Sequence, residues 1–304
     1  MYKRQVIGYL SASIEWSESQ KSRNWQDFWT QDSKAYYFMG KDNIPFHTII
    51  WPAILTGYED LNLPYDVPAN EYLQLEGLKF STSRDWAVWL PEYLDKYEPD
   101  PLRYVLTAIM PETSDSNFTW DEFVRRNNDE LVATFGNLVN RVLSMIHRNF
   151  DGQVPSQNNV GTSEVEINKL AEATLISVSE SIELCKFREG LTHCMSLARE
   201  VNRYLDEKAP WTAIKSDRDS AGTTLNNSVN IINCLKTLLH PYLPFSTQAL
   251  HEMLGLEGGV EKNGWTWKSQ ELTPGHKLGE VKRLFDKLDD SVAEEELNRL
   301  GSES

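Results

Sequence analysis

Cysteine is scarce. The 304 residues carry only Cys185, Cys194 and Cys234, and no two of them form a C-x-x-C pair. An odd, sparse set argues against a disulfide scaffold and a zinc ribbon, and fits a reducing, cytoplasmic setting with no metal site. Long hydrophobic runs are missing too. No stretch approaches the roughly 18 consecutive apolar residues of a membrane span, so no membrane partner is expected. Lys3 and Arg4 precede only the short run Val6–Leu10, with Glu15 close behind, too little apolar chain for a secretory signal. Basic charge is in deficit: 30 Lys+Arg face 45 Asp+Glu, giving a net charge of −15. Nucleic-acid binding by bulk positive charge is therefore disfavoured, and no DNA partner is expected. Internal repeats and the G-x-x-x-x-G-K phosphate loop are absent as well.

What is present suffices for a folded protein. The chain is 40% hydrophobic, includes ten tryptophans, and is long enough for about two domains and a tail. Residues 1 to about 110 mix short apolar runs with Pro and Gly punctuation. Ala35–Met39 and Glu71–Leu75 read as strands and His47–Leu55 as a helix that Pro52 kinks or ends, an α/β pattern. From about residue 119 the period becomes helical. Thr119 followed by Glu122 has the form of a capping box, and apolar residues recur from Phe123 to Ile146. Helical patterns resume over about 163–185, 187–207 and 217–239, separated by polar or proline breaks, and predict an antiparallel bundle. The segment after about 255 begins Gly-rich and ends in a charged helix over Ser291–Leu300.

Two segments hold side chains suited to chemistry. In Gly40-Lys41-Asp42-Asn43-Ile44-Pro45-Phe46-His47 and on to Trp51, a glycine followed by an acid at a strand end lets a ribose approach the backbone and offers its hydroxyls an acceptor. His47 and Trp51, four apart, share a helix face and could line a small-molecule pocket. By spacing alone the same residues also read as a turn before a core helix with one satisfied histidine. In Gly77-Leu78-Lys79-Phe80-Ser81-Thr82-Ser83-Arg84, cations and hydroxyls are presented as a phosphate would require, although composition alone favours an ordinary exposed loop.

In this order, about forty residues apart, the two segments resemble the methionyl-tRNA synthetase family of class I aminoacyl-tRNA synthetases. Lys79–Ser83 is similar to that family's K-M-S-K-S loop, with Phe80 for Met and Thr82 for the second lysine. Ile7-Gly8-Tyr9 resembles its methionine-pocket helix, and Asp100-Pro101-Leu102-Arg103-Tyr104 the segment joining catalytic fold to bundle. The tail Leu284–Leu300 looks like that of an archaeal-type member. The resemblance implies an α/β half of a class I, Rossmann-like catalytic fold over 1–118, with the loop and a stem-contact segment. An all-α anticodon-binding bundle over 119–254 and a tail over 255–304 follow, the whole predominantly helical.

It also implies roles. Tyr9, His47 and Trp51 match the methionine pocket, and Gly40 and Asp42 the adenosine contacts, with Thr82 also facing ATP. Lys79, Ser81, Thr82 and Ser83 match the catalytic loop that holds the phosphates of Mg2+-bound ATP. Asn137, Arg141 and Trp211 match the residues that face the tRNA(Met) anticodon. Asn137 and Arg141 could equally be a solvated helix face, and Trp211 a helix-start staple.

One family element has no counterpart. None of His47, His147, His193, His240, His251 or His276 begins an H-x-G-H pattern, and the first half of the nucleotide fold is not found. The chain alone is therefore expected not to form an adenylate. Three explanations stay open: a fragment of a longer enzyme, one half of a split enzyme whose N-terminal half carries the histidine motif, or a non-catalytic paralogue that binds tRNA or protein.

Overall fold

A computed structural model describes residues 6–19, 23–30, 32–58, 60–158, 160–268 and 270–301. Met1–Gln5, with Lys3 and Arg4, lie outside the described residues. The chain divides into two compact units, Met1–Leu73 with Pro111–Ser116, and Gln74–Met110 with Asn117–Ser304. The segment that bears Lys79–Ser83 therefore clusters with the helices, not with the first seventy residues beside which the sequence reading set it.

The first unit contains α1 (Gly8–Ser19), β1 (Met39–Gly40), α2 (Trp51–Tyr58) and β2 (Ala69–Asn70). The strands expected in the Ala35–Met39 region are shorter than predicted. A single parallel bridge joins Tyr36 to Asp66, and β1 and β2 pair in parallel over two residues. The helix expected over His47–Leu55 begins as a π-turn at Phe46–Ile50 before continuing as α2. Pro52 does not end it: the helix passes through the proline to Tyr58, with the wider π-turn directly before it. A buried cluster of Leu10, Trp29, Tyr37, Trp51 and Leu55 closes this unit's core.

The second unit opens within β3 (Leu73–Leu75), at Gln74, and β3 forms an antiparallel hairpin with β4 (Leu78–Lys79). Its two turn residues, Glu76 and Gly77, both have positive φ, as a two-residue hairpin of the twisted type requires. Short helices α3 (Leu90–Leu94) and α4 (Pro99–Ala108) follow, then β5 (Ser116–Phe118), which leaves β3 central between β4 and β5. One rod then runs from α5 (Trp120–Arg126) through a π-segment, Asn127–Gly136, into α6 (Asn137–Asn149). Thr119 caps it by accepting from the Glu122 N–H at 3.2 Å. The capping box is only half formed, because the Glu122 carboxylate turns to Arg125 and Arg126, at 2.8 and 2.7 Å.

The long helices α7 (Thr162–Glu183), α8 (Phe187–Lys208) and α10 (Arg218–Leu239) lie within a residue or two of the expected spans, with α9 (Pro210–Ser216) between the last two. After α11 (Pro244–Met253), an irregular segment leads to α12 (Ser291–Leu297), three residues shorter than expected. Every residue of α10 from Ala221 to Leu239 is buried, although many are polar. The reason is the irregular chain around it. Asn226 donates to the Pro155 carbonyl at 2.8 Å, and Asn230 accepts from the Leu272 N–H at 2.9 Å. Asn233 donates to the Glu271 carboxylate at 2.8 Å. Loop backbone has no ladder of its own, and these amides supply the partners that buried peptide groups require.

His251 is fully buried near the end of α11, facing the Glu257 carbonyl at 3.2 Å, while its Nδ1 has no hydrogen-bond partner. Burial holds its pKa below the ordinary histidine value, and that of His240 likewise. A histidine kept neutral in the fold must release its favourable packing to become charged, so stability is complete above about pH 6.5 and falls as pH drops below it. Chemical denaturation between pH 7.5 and 5 should show that loss, and the variant His251→Gln should flatten the slope.

Candidate functional site

In the first unit, α1 and the π-turn bring Tyr9 against His47, and α2 adds Trp51. The Tyr9 hydroxyl donates to His47 Nε2 at 3.0 Å, while His47 Nδ1 faces the Asn43 carbonyl at 2.9 Å. A carbonyl only accepts, so in the neutral ring Nδ1 carries the proton and Nε2 is left to accept from Tyr9. Trp51 is fully buried and donates from Nε1 to the Tyr37 hydroxyl at 2.8 Å. The ring centroid of Tyr9 lies 5.4 Å from Tyr37, 5.6 Å from His47 and 6.3 Å from Trp51. Burial pushes the Tyr37 hydroxyl above its usual pKa, so it stays neutral. Tyr37 belongs to this cluster and was not singled out from the sequence. The signal available was its place in Ala35–Met39, a run that leads into β1. Tyr9, 46% exposed, is the ring open to solvent. The rings pack on one another as part of the unit's core, with His47 satisfied at both nitrogens as a core histidine would be, so Tyr9 is the face of the cluster that a ligand can reach.

Gly40 ends β1, with Asp42 in the 3-10 turn behind it. Its φ of −79° is ordinary for any residue, and a Cβ built there would meet nothing within 4 Å. The fold does not require glycine at this position, and the open space above it is what close approach by a ligand would use. The Asp42 carboxylate accepts from the Tyr72 hydroxyl at 2.6 Å. Lys41 pairs with Glu71, lies 3.5 Å from Asp115, and stands 4.4 Å above the Tyr72 ring. Tyr72, Glu71 and Asp115, all missed from the sequence, thus hold the Lys41–Asp42 pair.

The phosphate-type loop sits in the second unit on the β3–β4 hairpin. Glu76 accepts from the Trp120 N–H at 2.8 Å, and the Gly77 N–H donates to Asn117 at 2.8 Å. Ser81 and Trp86 exchange backbone hydrogen bonds, each 2.9 Å, and close the loop. Within it the Ser81 and Ser83 hydroxyls lie 3.2 Å apart. Lys79, Thr82, Ser83 and Arg84 are exposed. The segment after the loop is braced by the tail: the Gly301 N–H donates to the Asp85 carbonyl at 3.1 Å, and Tyr97 donates to Glu296 at 2.9 Å.

In the bundle, Asn137 is exposed and Arg141 half-buried, one helical turn further along α6. The Arg141 guanidinium lies 4.9 Å from the centroid of Trp211. Residues seventy positions apart in sequence thus form one surface feature. Ala209 makes the connection: at φ 40° it closes α8 in the left-handed region, and Pro210 starts α9 with Trp211 next. Trp211 is 41% exposed, so part of its indole is open to a ligand. Asp206, not anticipated from the sequence, accepts from Arg141 at 2.8 Å and holds it beside the indole.

Among the described residues, no group of three or more His, Cys, Asp or Glu is placed to hold a metal ion, and no helix is long and apolar enough to cross a membrane.

Residues 4–143 match the family described as tRNA synthetases class I (M), and residues 154–304 match the anticodon binding domain of methionyl tRNA ligase. The chain belongs to the methionyl-tRNA synthetase family. It is 47% identical to a methionine–tRNA ligase of Thermomicrobium roseum, with 98% of this chain and 56% of that protein aligned. It is 50% identical to one of Dehalococcoides mccartyi, with 97% and 53% aligned. The chain thus spans about half the length of the curated relatives it matches. Those relatives are bacterial and lend no support to an archaeal-type tail. The fold matches methionyl-tRNA synthetase of Mycobacterium tuberculosis, solved with methionyl-adenylate, with a TM-score of 0.80 at 24% identity, over 91% of this chain and 54% of that one. The chain has the class I catalytic and helical anticodon-binding parts of this family of synthetases.

Proposed function

We propose that this chain carries the C-terminal half of a cytoplasmic methionine–tRNA ligase, whose catalysis also needs an N-terminal part that bears the H-I-G-H-type motif. On this reading 1–118 carry the catalytic elements, 119–254 the anticodon-binding helices and 255–304 the tail. The observation that carries it is coverage: nearly the whole chain aligns with only about half of each ligase. An apolar stripe of Phe46, Ile49, Ile50 and Ile54 on the Phe46–Tyr58 helix supports it, being exposed where a further part of a catalytic fold would cover it.

Methionine's thioether meets the Tyr9–His47–Trp51 cluster at its exposed Tyr9 face, with the buried His47 and Trp51 setting that ring, and the ribose of ATP lies over Gly40 against Asp42. The methionine carboxylate attacks the α-phosphorus of Mg2+-bound ATP and pyrophosphate leaves. Lys79, Ser81, Thr82 and Ser83 hold the phosphates while charge builds on them. The acyl group then passes to the terminal ribose of tRNA(Met), whose anticodon meets Asn137, Arg141 and Trp211. The histidines of the N-terminal half complete the site.

Methionine-dependent ATP–pyrophosphate exchange tests the reading. The purified chain should be inactive and should gain exchange on addition of an N-terminal half with the histidine motif. Exchange by the chain alone would sink the need for that N-terminal part. No exchange after mixing, with tRNA binding retained, would favour a non-catalytic tRNA-binding paralogue, a reading that Thr82 in place of a loop lysine supports. In the reconstituted enzyme, Gly40→Ala should leave stability within about 1 kcal/mol. The same substitution should raise the KM for ATP at least tenfold, because the new methyl occupies the space left for the ribose.

A further inference from the structure

The tail reaches the phosphate-type loop through a chain of contacts that all lie within the helical unit. It is first tied to the π-segment of the α5–α6 rod. Asn128 donates to the Leu288 carbonyl and accepts from the Leu288 N–H, each at 2.9 Å, and Asn127 donates to the Asp286 carbonyl at 2.9 Å. Helix α12 then brings Glu296 to the chain that follows the loop. Glu296 is 7% exposed, and its Oε1 accepts from the Tyr97 hydroxyl at 2.9 Å, from Lys96 at 3.4 Å and from Arg299. Burial, with Glu296 adding to it, pushes the Tyr97 hydroxyl up to about 12, so it remains a donor at neutral pH. Beyond α12, Gly301 turns at φ 70°, a conformation that favours glycine, and its N–H donates to the Asp85 carbonyl at 3.1 Å.

Asp85 is where the chain leaves the loop. It stands at φ 49° behind the 3-10 turn Thr82–Arg84. A residue other than glycine keeps such a backbone only where its surroundings impose it. Its own N–H reaches the Thr82 carbonyl at 3.3 Å, a long contact. Shorter ones come from beyond the turn: Trp89 Nε1 donates to the Asp85 carboxylate at 2.7 Å, and Gly301 to its carbonyl.

We propose that segment 286–301 is a strap that sets the pose of the phosphate-type loop, with Glu296 and Gly301 as positioning residues for Lys79, Ser81, Thr82 and Ser83. The assignment rests on the reading that this loop holds the phosphates of ATP. Glu296 and Gly301 grip the two ends of 85–97, so the exit of the loop is fixed to the helical rod as well as to its own hairpin. Groups that stabilise charge on a phosphate act best when they are held in place before the charge develops.

Two measurements separate the strap from the reaction. Hydrogen exchange is read at the paired Ser81 and Trp86 amides, with the α10 amides as internal reference. A chain ending at Asp290 and the variant Glu296→Ala should each speed exchange at Ser81 and Trp86 at least tenfold and leave α10 unchanged, with Tyr97→Phe acting in the same direction. Glu296→Gln, whose amide oxygen still accepts from Tyr97, should stay within threefold of the unaltered chain. In the enzyme completed by its N-terminal part, Glu296→Ala should raise the KM for ATP at least fivefold and leave the KM for methionine within twofold.

Unchanged exchange at Ser81 and Trp86 in these variants, or equal loosening of α10, would overturn the strap. Loosened amides with an unchanged KM for ATP would overturn the positioning role. If the unaltered, completed enzyme forms no adenylate, the reading of the function falls, and hydrogen exchange still decides whether the tail holds the loop. Should the shortened chain fail to fold, Tyr97→Phe, which removes a single hydroxyl, carries the test.

Discussion

Replacing Glu164 by alanine should cost the helical unit about 1–3 kcal/mol, as leaving buried polar groups without their acceptor does. For a domain of this size that is a melting-temperature drop on the order of 5 °C, readable by calorimetry or circular dichroism. Glu164 is 3% exposed in the first turn of α7. Its carboxylate pairs with Lys208 at 2.7 Å and accepts from the Tyr204 hydroxyl and the Gly161 N–H, each at 2.9 Å. Truncation therefore leaves a cation, a hydroxyl and a helix-start N–H without their acceptor. Burial by itself raises this carboxyl's pKa, but Lys208, Tyr204 and Gly161 outweigh it, so the group is held below the usual carboxylate range. Its contribution is present above about pH 4.5 and is lost as pH falls through the lowered pKa. Glu164→Gln should lose less than the alanine variant at pH 7. The gap between wild type and glutamine should close under acid, whereas a constant gap would mean that charge plays no part.

Replacing Trp211 by alanine should weaken binding of a methionine tRNA anticodon stem-loop by about 5- to 150-fold, the 1–3 kcal/mol that one base stack contributes. The exposed indole offers a face for a splayed base, and Arg141 brings a cation against it. Arg141→Ala should weaken binding as well. Asp206→Asn should loosen Arg141 from its present partner and change discrimination among anticodon sequences. Fluorescence titration or filter binding would measure each change, with helix content checked in parallel. Unchanged binding in Trp211→Ala would remove Trp211, Arg141 and Asp206 from the RNA interface together.

The long helices were legible because their apolar residues recur over many turns. α7, α8 and α10 each run 22 residues, enough for the period to outweigh local exceptions. The short strands were not legible, since a two-residue ladder such as Met39–Gly40 leaves no alternation to read. The π-turns at Phe46–Ile50 and Asn127–Gly136 keep the hydrophobic pattern of an α-helix and differ only in hydrogen bonding. Of the candidate site, Tyr9, His47 and Trp51 were named together from the sequence, and their rings lie together. Tyr37 escaped notice because a tyrosine in an extended run has no mark of its own. Tyr72 and Asp206 escaped because each acts through a partner distant in sequence.

The sequence alone determined the order of parts: an α/β segment with two ligand-type loops, then amphipathic helices, then a charged tail. Order and period are local properties, and hydrophobic spacing carries them. Only the tertiary structure decided which distant residues share a surface, as with Arg141, Asp206 and Trp211, and why α10 buries a row of asparagines. Those amides look like a solvated helix face until the loops at Pro155 and Leu272 lie against them. A buried peptide group must find its partner somewhere, and the fold rather than the local sequence says where.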